Sequence, residues 1–159
     1  SLPVSAGGGR EEEIRRYAAM VYRLALARAG NSADAEDIFQ EVFLRYVSKA
    51  PAFTSEEHRK AWLLRVTVNC ARKLHAAPWR RLTEPLSDLL AAPEPEESGL
   101  WDALQRLRPE DRTVLHLYYY EELSTGEIAR LLGCRPGTVR SRLTRARERL
   151  REQYKEDLP

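Results

Sequence analysis

Apolar residues recur along this chain at spacings of three and four, and no stretch alternates long enough to read as a half-buried strand. Ile14, Tyr17, Val21, Leu24 and Ala25 form one stripe and predict a helix from about Glu11 to Ala29. Gly30 and Asn31 stop it, and Asn31, Ser32 or Asp34 can cap the next. A second helix, from about Ala33 to Lys49, carries Phe39, Val42, Phe43, Tyr46 and Val47 and ends before Pro51. Ser55 caps a third, with Glu56 and Glu57 in the first turn, where the helix dipole favours acids. Its apolar line is Leu63, Val66, Cys70 and Leu74.

A second helical block begins near Gly99. Trp101, Leu104 and Leu107 are expected on one helix, and Pro109 opens another, followed by Glu110 and Asp111. The run Val114–Tyr120 is rich in strand-formers, but strongly helical neighbours make it helix. Between the blocks, residues 82–98 contain Pro85, Pro93, Pro95 and five acids with no Lys or Arg, which is linker composition. Leu86, Leu89 and Leu90 within it can form a short helical turn or dock on a partner. The expected fold is all-α: two small helical domains, residues 11–81 and 99–155, joined by this acidic Pro-rich linker and preceded by a flexible tail over residues 1–10.

Composition adds charge asymmetry rather than class. The 159 residues are 43% hydrophobic and 31% charged, with a net charge of only +2. Yet residues 124–151 hold eight arginines against two glutamates, which suggests a nucleic-acid face beside the acidic linker. Cys70 and Cys134 lack metal-ligand spacing and sit in apolar helical context, as buried small hydrophobes; no metal or other cofactor is expected. No apolar run reaches the roughly 18 residues of a membrane span, and no signal peptide is visible, so the expected location is cytoplasmic without membrane insertion.

The sharpest local signal lies between Ser124 and Leu150. Ser124-Thr125-Gly126-Glu127 is a capping box, and Ile128, Leu131 and Leu132 follow it. Gly133 permits a tight turn, and Pro136 opens the next helix. Ala129, Gly133 and Val139 supply the small residue, turn and core plug that a steep helix crossing needs. Val139, Leu143, Ala146 and Leu150 line the buried face of the second helix. Its other face carries Arg140, Ser141, Arg142, Thr144, Arg145 and Arg149. A helix this basic fits the major groove, its arginines forking onto guanine edges or phosphates. The alternative is a solvated charged helix, but Glu148 is the only acid from Pro136 to Arg151.

In the first block, Asp37, Gln40, Glu41 and Leu44 share one helix face, opposite the aromatic stripe. This is either a docking patch or an ordinary acidic surface, and on spacing alone the plainer reading is favoured. The third helix and its continuation, Ser55–Arg81, hold seven basic residues against two acids. Trp62 and Asn69 lie seven residues apart on one side, and Phe53 precedes the helix. Aromatics beside a basic face can stack unpaired bases, although core packing is the better reading for Trp62 alone. For Asn69, a surface role and a base contact are evenly matched.

With these residues assembled, the chain resembles the extracytoplasmic-function sigma factors. The resemblance rests on Ala35–Phe43 with Ala61–Val66 and Asn69, then on Glu127-Ile128-Ala129, Gly133, Gly137–Leu143 and Arg145-Ala146-Arg147, and covers about residues 11–151. It implies a sigma region two whose Asp37, Gln40, Glu41 and Leu44 dock on the clamp helices of the largest subunit of core RNA polymerase. Phe53 and the loop to Lys60, with Trp62 and Asn69, would receive a flipped base of the −10 element, while Arg59, Lys60, Arg65 and Arg72 hold phosphates. It implies a sigma region four that reads the −35 element of promoter DNA through Arg135, Thr138, Arg140, Ser141, Arg142 and Arg145. Such factors direct transcription initiation, are not enzymes, and are often held by an anti-sigma factor. Two departures stand out. Arg135 occupies a position usually held by a small capping residue, so the helix shifts its start or Arg135 reaches a phosphate. Glu56 and Glu57 would repel phosphate.

Three rivals remain on the sequence, one of them a pure protein-binding module such as a degenerate sigma factor that only sequesters an inhibitor. A helix-turn-helix regulator bound to an operator explains Ser124–Arg149 equally well, but not the acidic face followed by the aromatic, basic third helix. An enzyme fits poorly, because His58, His75 and His116 are scattered and no phosphate-cradling glycine loop exists outside the tail.

Overall fold

The computed structural model describes residues 8–76 and 99–157. Seven α-helices follow one another among these: α1 Gly8–Ala29, α2 Ser32–Lys49, α3 Glu56–Ala76, α4 Gly99–Gln105, α5 Pro109–Leu115, α6 Thr125–Leu132 and α7 Pro136–Asp157. A π-helical turn, His116–Tyr120, continues α5. The run with strand-forming composition is therefore helical, wound more loosely at its end. The expected linker 82–98, including Leu86, Leu89 and Leu90, lies outside the described residues, as do residues 1–7; α1 begins at Gly8, within the stretch expected to be tail.

Local chemistry sets most boundaries. Asn31 caps α2 by accepting the Asp34 amide at 2.8 Å. Ser55 Oγ accepts the His58 amide at 3.0 Å at the start of α3. Leu107, expected on the same helix as Trp101 and Leu104, lies beyond the end of α4 although it is buried. The cause is Pro109, which forces Arg108 into an extended conformation (φ −65°, ψ 149°) and interrupts the helix before α5.

Helices α1, α2 and α3 pack on one another around Val21, Leu24, Ile38, Val42, Leu64 and Val68, all essentially solvent-free. Helices α5, α6 and α7 close around Val114, Leu117, Ile128, Val139, Leu143 and Ala146. The stripe expected on α2 holds except at Val47, which is 69% exposed beside Leu44 at 61%. Cys70 is buried, which pushes its thiol pKa up, and Cys134 is half-buried.

The two halves do not sit apart. Helix α1 packs on α5 and α3 on α6, and the buried apolar residues of both halves form one connected cluster. Arg112 of α5, 8% exposed, donates to the carbonyls of Ala27 (2.8 Å) and Arg28 (2.6 Å) at the end of α1, and to Leu107 O at 2.6 Å. It thereby satisfies carbonyls that a helix terminus leaves orphaned. The turn at Gly30 (φ +82°) favours glycine. Its backbone is left-handed, and a Cβ would stand 2.3 Å from Gln105 Oε1 of α4.

Candidate nucleic-acid and polymerase interface

The helix-turn-helix is built as its sequence predicts. Ser124 Oγ accepts the Glu127 amide at 3.1 Å, and Glu127 Oε1 accepts the Ser124 amide at 2.9 Å. Those bonds, the backbone one first, lower the Glu127 carboxyl pKa. Gly133 is left-handed (φ 72°, ψ 38°) and turns the chain, with the Cys134 amide returning to Ala129 O at 3.0 Å. Helix α7 starts at Pro136, and Arg135 O accepts the amides of Thr138 (2.9 Å) and Val139 (3.3 Å). Arg135 therefore does not displace the helix start; its side chain remains exposed.

Five of the six residues expected to read the −35 element come together. Arg135, Thr138, Ser141, Arg142 and Arg145, with Gly137, line a shallow concavity of about 490 Å³ on the N-terminal part of α7. They repeat at helical spacing, so a groove laid along this face meets all of them. Arg140 is exposed but stands outside the concavity. Arg142 and Arg145 are turned toward α5, with Arg142 Nη1 3.8 Å from Glu110 and Arg145 Nη2 3.7 Å from the fully buried Asp111. Arg147 has another role: its Nε donates to Tyr119 Oη at 2.6 Å and its guanidinium lies over the Tyr118 and Tyr119 rings, pinning α7 to the π-helical turn.

On α2, Asp37, Gln40, Glu41 and Leu44 are exposed on one face. Glu41 pairs with Arg45 at 2.9 Å. Val47, assigned to the core stripe by sequence, extends this patch instead. Leu44 and Val47 lie three residues apart, and that spacing was the available signal.

Phe53 and Trp62 meet edge to face at 5.8 Å between centroids, and the cluster also contains Tyr46 and His58. Trp62 and Phe53 are only half-buried, so the rings make a partly open aromatic wall. Asn69 is exposed farther along α3. Arg59 stacks over Phe53, pairs with Glu13 at 2.6 Å and with Glu56 at 3.5 Å, and donates to Tyr46 Oη. Glu56 also accepts from Tyr17 Oη, whose pKa burial, together with that carboxylate, pushes up to about 12. Arg59 thus braces its own domain. The phosphate-repelling Glu56 is offset by Arg59, while Glu57 stays exposed.

The other cations expected to hold −10 phosphates face the second half. Lys60 lies 3.6 Å from the nearly buried Glu121, Arg65 Nη2 reaches Arg130 O at 3.5 Å, and Arg72 pairs with Glu110 at 3.3 Å. Burial disfavours ionised Glu121, but neighbouring His116, Lys60 and Arg23 outweigh it and lower its pKa. Glu110 is the focus. Burial would raise its pKa, yet hydrogen bonds from Arg28 (2.8 Å) and Arg72 hold it at about 2. Arg28, 5% exposed, also donates to Thr113 Oγ1 at 3.0 Å. Nothing in the sequence reading singled out Arg28, Glu110 or Arg112 as joining the halves.

Among the described residues no cluster of His, Cys, Asp and Glu suits a metal ion, and no helix is long and apolar enough to cross a membrane.

Comparison with known proteins places both halves. Residues 14–81 match the Sigma-70 region 2 model and residues 99–150 the Sigma-70, region 4 model. The chain is 33% identical over 149 residues to the RNA polymerase sigma-E factor of Streptomyces coelicolor, covering 90% of this chain and 84% of that one. It is 34% identical over 165 residues to the ECF RNA polymerase sigma factor SigL of Mycobacterium tuberculosis, covering 93% of each. It is 36% identical to the ECF RNA polymerase sigma factor SigE of Mycolicibacterium smegmatis over 155 residues, which cover 89% of this chain and 60% of that relative. In fold it is similar to the sigma factor RpoE solved with the anti-sigma factor NepR from Bartonella quintana, at a TM-score of 0.74, 23% identity, and coverage of 94% of this chain and 99% of that one. With an acidic-apolar patch on α2, an aromatic wall before α3 and a basic helix-turn-helix on α6 and α7, the chain belongs to the extracytoplasmic-function sigma factors, promoter-recognition subunits of RNA polymerase.

Proposed function

We propose that α7 reads the −35 element through Arg135, Thr138, Ser141, Arg142 and Arg145, with Arg140 on an adjacent phosphate. The observation that carries this is the concavity in which those five residues converge at the opening of a helix with an exposed, cationic face. Arginine forks match guanine edges bidentately, and Thr138 and Ser141 are short enough to let the helix approach. Arg142 and Arg145 reach the groove once they leave Glu110 and Asp111.

The first half handles the opened strand. Phe53, with the rim of Trp62, offers ring faces to an extruded base of the −10 element, and Asn69 offers amide contacts to its edge. Stacking of this kind contributes about 1–3 kcal/mol per base, which offsets unstacking. Lys60, Arg65 and Arg72 hold phosphates; Arg59 supports Phe53 from behind. Asp37, Gln40, Glu41 and Leu44, extended by Val47, dock on the clamp helices of the largest subunit of core polymerase. Apolar side chains framed by acids suit a basic, apolar-centred partner surface. No bond chemistry is asked of this chain, which acts with polymerase in the cytoplasm. The RpoE relative was solved with an anti-sigma factor, and a partner of that class is proposed here too.

The test is reconstitution with core polymerase, followed by selection of bound promoter fragments and single-round transcription. Enrichment of a two-element promoter and start-site-specific transcripts are expected. A chain that binds a palindrome as a dimer and is inert with core polymerase would instead be an operator-binding regulator.

A further inference from the structure

One member of the aromatic wall, His58, is also bonded to the backbone of the loop that carries Phe53. The Thr54 amide donates to His58 Nδ1 at 3.2 Å, and Thr54 Oγ1 lies 3.4 Å from the same nitrogen. The His58 amide in turn donates to Ser55 Oγ at 3.0 Å. The His58 and Phe53 rings meet edge to face, 5.1 Å between centroids at 82°. An amide N–H can only donate, so Nδ1 keeps its lone pair and the neutral ring carries its proton on Nε2. With Ser55 as the cap, His58 stands at the third helical position, from which a Glu or Gln side chain would reach back to the amide of the cap itself. Here the imidazole reaches one residue further, to Thr54, and meets Phe53 beside it.

We propose that His58 is a positioning residue for −10 recognition: by pinning the Thr54 amide and the Phe53 ring together, it holds the aromatic wall in one shape and decides how strictly the extruded base is chosen. This rests on the reading of Phe53 and Trp62 as the platform for that base. Stacking alone tolerates any sequence, because every base has a ring face. Selection needs walls of fixed shape, so that a wrong base loses contacts or leaves polar groups unpaired. Phe53 belongs to the non-helical segment between α2 and α3, where no helix backbone fixes its direction. Tyr46, Trp62 and Arg59 touch its ring. His58 adds a bond to the main chain beside it, and that bond sets where the ring is aimed. His58 and Thr54 are both exposed, so the bond contributes little to the core and its effect falls on the loop.

The test uses holoenzyme reconstituted from the full chain and core polymerase, on promoters that share a −35 element and carry each base in turn across the −10 element. Single-round transcription reads the preference for the best base over the next. His58→Ala removes the acceptor, and His58→Gln supplies an ordinary capping side chain without the ring. Both are expected to lower that preference about fivefold, the worth of one exposed hydrogen bond. His58→Asn places an acceptor oxygen where Nδ1 stood and is expected to keep most of it. Affinity for a −35 duplex is expected to stay unchanged in all three, and circular dichroism confirms folding. A Gln variant as selective as the parent makes His58 a plain helix cap and overturns the proposal. So does an Ala variant as selective as the parent, or an Asn variant no better than Ala. The imidazole nitrogen resonances of the parent chain give a check that needs no variant: an unprotonated Nδ1 and a protected Thr54 amide are expected, and a neutral ring with its proton on Nδ1 overturns the proposal. Failure of every form, parent included, to transcribe with core polymerase counts against the −10 reading instead. In that case the imidazole resonances still decide whether His58 holds the loop.

Discussion

Helices α3 and α7 both look like nucleic-acid helices in sequence, yet the fold uses their cations differently. On α3, Lys60, Arg65 and Arg72 point at the second half of the molecule, and Arg59 in its first turn is bound to Glu13, Glu56 and the Phe53 ring. On α7 and the residue before it, Arg135, Arg140 and Arg145 are exposed, and among the described residues Arg142 and Arg145 lean on an acid. Similar local charge thus gives one helix whose cations are largely engaged within the chain and one that still presents a face. Basic composition sets an upper bound on a nucleic-acid surface; the partners inside the fold set how much of it is available.

The contrast can be broken most severely at Arg112. Arg112→Ala orphans the α1 carbonyls and leaves a void at the junction, and about 3 kcal/mol of stability should be lost in urea unfolding. A loss below about 1 kcal/mol would mean that the halves lean on each other far less than the buried guanidinium implies. Next comes the exposed face of α7. Arg135→Ala and Arg145→Ala should each weaken binding to a −35 duplex by about 1–3 kcal/mol, read by titration at fixed salt. Arg65→Ala on α3 should leave that affinity unchanged or tighter. Equal losses from both helices would erase the distinction.

The α2 patch gives a comparison with a protein partner instead of DNA. Asp37→Lys with Glu41→Lys should weaken core polymerase binding by at least about 1.4 kcal/mol, or tenfold, without altering duplex affinity. Intact polymerase binding would make the patch ordinary surface. Acid provides a milder probe of the junction. The Glu110 pKa is depressed from 4.5 to about 2, so its contribution to holding the halves together is present above about pH 4.5 and fades as pH falls toward 2. Scattering should show expansion over that window in the full chain and a smaller change in Glu110→Gln. The smallest effect belongs to Ser124→Ala, which removes one cap and should cost about 1 kcal/mol in thermal unfolding while leaving the α1–α3 half unchanged.

Much of the molecule was legible from residue order alone. Helical periodicity gave the elements, Asn31, Ser55, Pro109 and the Ser124–Glu127 box gave starts, and Gly133 gave the left-handed turn. These are interactions within a few residues, and the chain cannot avoid them in any arrangement. That 138, 141, 142 and 145 lie together on α7 was legible for the same reason, because they share a face of any straight helix.

Long-range pairing was not legible. Val47 belongs by spacing to either the aromatic stripe or the Leu44 patch, and only the packing of α2 on α1 and α3 decides that it is exposed. Leu107 was placed on α4 by its period, but Pro109 two residues later ended the helix first. Arg28 lies seven residues beyond Val21, in line with the apolar stripe, and a charge at such a position demands a partner. The apolar stripe read from the sequence stops at Ala25, and no partner for Arg28 is visible in it. That the partner is Glu110, 82 residues away and shared with Arg72 and Arg142, was decided only by tertiary packing, because ion pairing carries no sequence periodicity to read.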